Sequence, residues 1–142
     1  MLECGGSKRR ERIFSLGGLT VREVAPPDRV EAAARAGYSD VGLRLVPATE
    51  QEQHCPLVAD ASLRRQTQAR LRDTGTKVLD LEILRLKPDT CVADFKAMLD
   101  VGAELGGTEL LVAGNDPDES RLTERFAHLC DLAADYGIYP HL

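Results

Sequence analysis

Four times along this chain a glycine closes a helical pattern and an apolar run begins within a few residues. Gly37 leads to VGLRL, Gly75 to VLDLEIL, Gly106 to ELLVA and Gly137 to IYPHL, at intervals of 38, 31 and 31 residues. A strand with its following helix takes about 30 residues. Glycine supplies the left-handed turn that ends a helix without a steric penalty. Strict alternation of strand and helix with short turns predicts a parallel sheet in an α/β fold. Two architectures satisfy the pattern. One is an open doubly wound sheet, complete at four or five strands. The other is the first part of an eight-fold barrel, which typically needs about 250 residues. The chain has 142 residues and stops inside its fifth apolar run. That favours a partial (β/α)8 TIM barrel of about four βα units plus the start of a fifth strand.

The run Lys77–Leu86, KVLDLEILRL, is the centre of the pattern. Val78, Leu79, Leu81, Ile83 and Leu84 are bounded by Gly75 and Pro88, too tightly for an ordinary helix. Such a run reads as a strand buried on both faces. Asp80 and Glu82 interrupt it. A carboxylate in a buried strand is costly unless it is paired or faces a wet pocket. Glu82 lies toward the C-terminal end of the strand, where parallel α/β folds place their ligands.

In chain order, residues 1–12 are polar and basic and are expected to form a disordered lead-in, with Lys8, Arg9, Arg10 and Arg12 as a solvated tail. Ile13–Val21 is expected as a first strand. Pro26 and Pro27 break the chain, and Asp28 with Glu31 resembles a capping box for a helix ending at Gly37. Asp40–Val46 is a second strand, followed by a polar loop from Pro47 to Asp60. Ser62 is the expected cap of a second helix, Leu63–Thr74. Pro88–Asp89–Thr90 opens a third helix, ending at Gly106–Gly107. Glu109–Ala113 is a fourth strand. Asp116 as cap, Pro117 at the first helical position and Glu119 three past the cap start a fourth helix. Leu122, Phe126, Leu129, Ala133 and Tyr136 give that helix its apolar stripe.

Several function classes recede at this stage. A net charge of −5 argues against nucleic acid as a partner, since phosphate binding needs a basic patch. No apolar run approaches the roughly 20 residues of a membrane span. No glycine-rich dinucleotide or phosphate-loop fingerprint follows any strand. Cys4, Cys55, Cys91 and Cys130 are widely spaced, and the neighbours His54 and Cys55 do not make a zinc pattern. Reduced thiols and a cytoplasmic location are the expectation.

The segments FSLGGLTV, AGYSDVGLRL, TGTKVLDLEILRL and LGGTELLVAGNDPDESRLTERFAHLCDLAADYGI resemble sugar phosphate isomerases/epimerases with the xylose-isomerase-like TIM barrel. The resemblance spans about Ile13 to Leu142, so residues 13–142 are expected to form the N-terminal half of such a barrel. It implies an active site at the C-terminal mouth and a sugar or sugar phosphate substrate. It also implies a divalent metal (manganese, magnesium or zinc) held by carboxylates and a histidine from later strands. The first of those ligands is usually a Glu at the end of the fifth strand, which here reads IYPHL. No residue matches the metal positions, so no metal is expected to bind this chain alone. The chemistry implied for a whole barrel is aldose–ketose isomerisation or epimerisation through an enediolate, with the half expected to be inactive. The alternative is a small open-sheet binding or regulatory module without catalysis.

Four residues are candidates for substrate binding. Glu82 would hold substrate hydroxyls, or else pair with Arg44 or Arg85 as a structural carboxylate. Arg44 offers a fork of donors for a phosphate or carboxylate, or pairs with Glu82. Asn115 and Asp116 lie after the fourth strand on the functional face, though helix capping also accounts for Asp116. Asp80 is expected in the barrel interior. His141 is a lone histidine, more often structural than catalytic. Unpaired edges at the first and last strands predict self-association.

Overall fold

The computed structural model describes residues 12–47, 49, 52 and 56–142. The lead-in up to residue 11, with Cys4, Lys8, Arg9 and Arg10, and the loop residues His54 and Cys55 lie outside that set. Five strands make one parallel sheet: β1 (Ser15–Leu16), β2 (Asp40–Arg44), β3 (Lys77–Leu86), β4 (Glu109–Gly114) and β5 (Tyr139–His141). Between them run α1 (Pro26–Arg35), α2 (Ala61–Thr74), α3 (Lys96–Glu104) and α4 (Glu119–Ala134).

The order across the sheet is the order of the chain, β1-β2-β3-β4-β5, with no reversal. Parallel crossovers are right-handed. With that hand fixed and no reversal, every helix falls on the same side of the sheet. A doubly wound sheet needs a reversal, which sends helices to both sides. The fold is therefore an open arc of a (β/α)8 barrel, with the described helices on its outer face and none of them on its inner face.

The outer face holds the core. Val41, Leu43, Leu81, Leu84, Leu86 and Leu110 are fully buried there, against Val30, Ala33, Leu99, Leu129 and Ala133 from the helices. Leu81 packs on α3 so closely that a Cβ at Gly102 would lie 2.5 Å from its Cδ1. Burying one such leucine is worth about 1.5–3 kcal/mol.

The register corrects the expectation that β3 is buried on both faces. Val41 and Leu43 of β2 stand opposite Val78 and Leu81, so β3 carries an extra residue there. A second shift lies between Leu81 and Leu84, opposite Leu110 and Val112. These bulges rephase the strand. Val78, Leu81, Leu84 and Leu86 all turn outward, while Leu79 and Ile83 are only half-buried. The continuous apolar run records two irregularities rather than two covered faces.

Helix starts depart from the sequence reading in a consistent way. Pro26 and Pro27 open α1 instead of breaking the chain, with Ala25 at the cap and Asp28 inside the first turn. Proline at the start has the right φ and lacks only an N–H that the helix leaves unpaired anyway. Asp60, not Ser62, caps α2, its Oδ1 accepting from the Ser62 and Leu63 amides at 2.8 and 3.0 Å. A 3-10 turn over Val92–Phe95 precedes α3, and Thr90 closes the preceding turn by accepting from the Lys87 amide at 2.8 Å. Asp118 caps α4 through the Arg121 amide at 3.0 Å. The first strand is also shorter than expected. After Leu16 the chain tightens into a 3-10 turn, Gly18–Val21. The four punctuating glycines hold as read: Gly37, Gly75, Gly106 and Gly137 are the positive-φ positions among the described residues.

Candidate functional site at the inner face and mouth

On the inner face, β2 contributes Gly42 and Arg44, and β3 contributes Asp80 and Glu82. A Cβ at Gly42 would lie 2.7 Å from Asp80 Oδ2 and 3.0 Å from Glu82 Oε1, so the glycine makes the room these carboxyl groups occupy. Glu82 is 7% exposed and fully engaged. Its Oε1 accepts from the Gly18 amide at 3.0 Å, and its Oε2 accepts from Arg44 Nη2 at 3.3 Å. Arg44 also pairs through Nη1 with Glu52 of the β2–α2 loop. The expected Arg44–Glu82 pairing is present. Asp80 sits beside Glu82 as its hydrogen-bonded neighbour. Burial, and then the charge of Glu82, push the Asp80 carboxyl up to about 6. A protonated carboxyl beside an ionised one removes the repulsion between two like charges.

The mouth, at the C-terminal ends of the strands, is built from the loops after β3 and β4. Arg85 stands opposite Ala113, between outward-facing Leu84 and Leu86, and so points inward. Its Nη1 donates to Asn115 Oδ1 at 3.0 Å. Asn115 in turn extends the ladder, its amide donating to the Leu86 carbonyl at 2.8 Å. Asp116 lies next in the chain with no exposed side-chain surface. Arg121 grips it through Nε and Nη2 at 2.7 and 2.6 Å, and Arg125 Nη1 adds a third bond at 2.9 Å. These guanidinium bonds, Arg121 foremost, hold the Asp116 carboxyl below the usual range. Arg125 also donates to the Lys87 and Pro88 carbonyls, both at 2.6 Å. Asp116 thus ties the β4–α4 loop to the β3–α3 loop and fixes the frame from which Asn115 reaches Arg85.

The structure therefore brings Glu82 and Arg44 together on the inner floor and places Asn115 and Asp116 at the rim. Sequence reading did not connect Arg85 with Asn115. It also missed the two arginines that engage Asp116, although their spacing of four puts them on one helix face. The Gly18 amide, 64 residues from Glu82, had no local signal at all.

Two other features lie outside this group, the first beside Asp80 through its strand partner Glu109. His141 Nε2 is 2.5 Å from Glu109 Oε2 on the inner side of β4 and β5. A shallow cleft of about 400 Å³ opens at the opposite, N-terminal ends of the strands, lined in part by Tyr38, Ser39, Asp40 and Lys77. In barrels of this kind that end carries stability rather than chemistry. Among the described residues, no three His, Cys, Asp or Glu side chains converge into a metal-binding group. The acids at the floor and rim are committed to arginines, to the Gly18 amide or to each other. They do not fit the divalent metal that the resemblance implies. Cys91 and Cys130 are free thiols. No helix among the described residues is long and apolar enough to cross a membrane.

No family model and no curated protein matches the chain. Solved structures do. A xylose isomerase domain-containing protein from Salmonella typhimurium LT2 superposes with a TM-score of 0.68 at 14% identity, over 95% of this chain and 50% of its own. D-allulose 3-epimerase from Methylomonas sp., solved in complex with D-allulose, gives 0.62 at 22% identity, over 94% and 51%. A sugar phosphate isomerase/epimerase from Parabacteroides distasonis gives 0.59 at 15%, over 96% and 52%. The chain has the fold of a xylose-isomerase-like TIM barrel and spans about half the length of these structures.

Proposed function

We propose that this chain supplies the first half of a sugar or sugar phosphate isomerase/epimerase barrel, a truncated form that is inactive until the remaining strands are provided. One observation carries the reading. The inner face of a parallel arc bears Arg44, Asp80, Glu82 and Arg85, where a closed barrel usually packs Val, Ile and Leu. A polar floor beneath a rigid rim suits a hydroxyl-rich ligand. In this reading Arg85 and Asn115 contact the sugar at the rim, Glu82 and Arg44 set the floor, and Asp116 holds the loops. Proton transfer next to a carbonyl needs a positioned base. That base and any divalent metal belong to the strands this half lacks, and this half binds and orients. The bare edges of β1 and β5 make self-association the expected behaviour of the isolated chain.

The test is direct. The purified chain is incubated with D-allulose and Mn²⁺, Mg²⁺ or Zn²⁺, and the chain joined to the second half of the Methylomonas epimerase is assayed in parallel. The chain alone leaves the sugar unchanged, and the joined protein epimerises it. Turnover by the chain alone refutes the inactive half. A folded joined protein that neither binds nor converts sugar favours the binding module without catalysis.

A further inference from the structure

The Asp80–Glu82 pair, besides forming part of the floor in that reading, sits at a junction between two segments of the fold. Glu82 Oε1 is the acceptor for the Gly18 amide at 3.0 Å, and this bond joins the Gly18–Val21 turn to β3. The turn has a second anchor. Arg29 of α1 donates through Nη2 to the Val21 and Val24 carbonyls at 3.2 and 3.3 Å. The Glu82 end is the crowded one. A Cβ at Gly18 would lie 2.9 Å from Glu82 Oε2, and one at Gly42 would lie 2.7 Å from Asp80 Oδ2. Both carboxyl groups therefore lie close against glycine backbone, Glu82 against the turn and Asp80 against β2.

We propose that Asp80 and Glu82 form a proton-operated latch: one proton held between them keeps Glu82 seated on the Gly18 amide, and its loss loosens the Gly18–Val21 turn from the sheet. The charges around the pair support this. From β2 and its loop come Arg44 and Glu52. From the segment after β1 comes Arg22, 4.0 Å from Glu52. With one proton on the pair, the anions Glu52, Glu82 and Glu109 of β4 already outnumber the cations Arg22 and Arg44. Without it, Asp80 adds an uncompensated charge against Glu82. On the other flank β4 offers Glu109, which stands opposite Asp80, and β5 offers His141, already bonded to Glu109. Higher on β3, Arg85 is turned to Asn115. The raised Asp80 value of about 6 places the change in a range that cells visit. The latch closes below that value and slackens above it. It stands independently of whether the chain belongs to an isomerase.

The experiment follows the full 142-residue chain by ¹H–¹⁵N NMR from pH 4.5 to 7.5. The Gly18 amide is expected to shift with a midpoint near 6, and its exchange protection to fall across the transition by up to about a hundredfold, the limit set by a rise from 3.8 to about 6. Asp80→Asn keeps a hydrogen bond to Glu82 but no longer titrates, and it is expected to flatten both responses. His141→Gln is the control for the neighbouring histidine and is expected to leave them unchanged. A flat Gly18 profile, a response that persists in Asp80→Asn, or one that disappears in His141→Gln overturns the latch. If Asp80→Asn does not fold, the side-chain carboxyl ¹³C shifts of the unaltered chain decide. Both carboxyl carbons moving together near pH 6 support the latch, and independent steps near pH 4 overturn it.

Discussion

The two faces of the sheet obey different rules. On the outer face the side chains are aliphatic and sealed by helices, with Leu43, Leu81, Leu84 and Leu110 fully buried. On the inner face the neighbouring positions are Gly42, Arg44, Asp80 and Glu82 in the middle, with Leu111 40% and Tyr139 65% exposed toward β5. The apolar core therefore resides on one side and the charged cluster on the other. The large exposed apolar residues cluster at the two flanks of the arc, with Ile13, Phe14 and Leu19 at one end and Leu111, Tyr139 and Leu142 at the other. An eight-stranded ring would place its missing strands across those flanks.

Substitutions on opposite faces break or sharpen this contrast. Leu81→Ala removes a fully buried side chain between β3 and α3, and is expected to cost about 2–5 kcal/mol in chemical denaturation. A cost below 1 kcal/mol would mean the outer face is not the core. Gly102→Ala comes next. Alanine favours a helix by about 1 kcal/mol over glycine, but the new Cβ would meet Leu81 at 2.5 Å. Overpacking of about 1–3 kcal/mol outweighs that gain, so net destabilisation is expected. The smallest effect is on the inner face. Leu111→Ser is expected to change stability by less than about 0.5 kcal/mol, because its surroundings are open.

Acid titration separates two carboxylates of opposite behaviour. The folded Asp80 value lies above its unfolded 3.8, so the native state binds the extra proton. Stability from Asp80 is full below pH 3.8 and declines as the pH rises toward 6. Asp116 is depressed in the fold, so its contribution is full above 3.8 and is lost as the pH falls further. Asp80→Asn should remove the upper slope and Asp116→Asn the lower one, as read by thermal unfolding across pH 2.5–7.5.

Much of the architecture was legible because it rests on local rules. The four glycines marked the helix ends, and β3 was found with its observed bounds, Lys77–Leu86. The Arg44–Glu82 pairing was anticipated because buried charge in a strand demands a partner. What escaped needed knowledge of the register. The bulges in β3 have no signature in β3 alone, since they exist only relative to β2 and β4. The helix starts slipped by up to a few residues because Asp, Ser and Pro cluster near each one, and any of them can cap or open a turn. Asp116 read as a cap; its Oδ1 does accept from the Asp118 amide at 3.0 Å, but it is also gripped by Arg121 and Arg125, and Asp118 takes the N-cap position of α4.

Leu111 and Tyr139 lie exposed on the inner face, the side opposite the helices. Solvent paramagnetic relaxation at the Leu111 methyls and the Tyr139 ring tests this placement most directly, measured at a dilution where the chain is monomeric and again in the joined barrel. The account predicts strong relaxation in the chain alone and protection once the second half is attached. Protection already present in the monomer would show that another layer covers this face, and the open arc would be wrong.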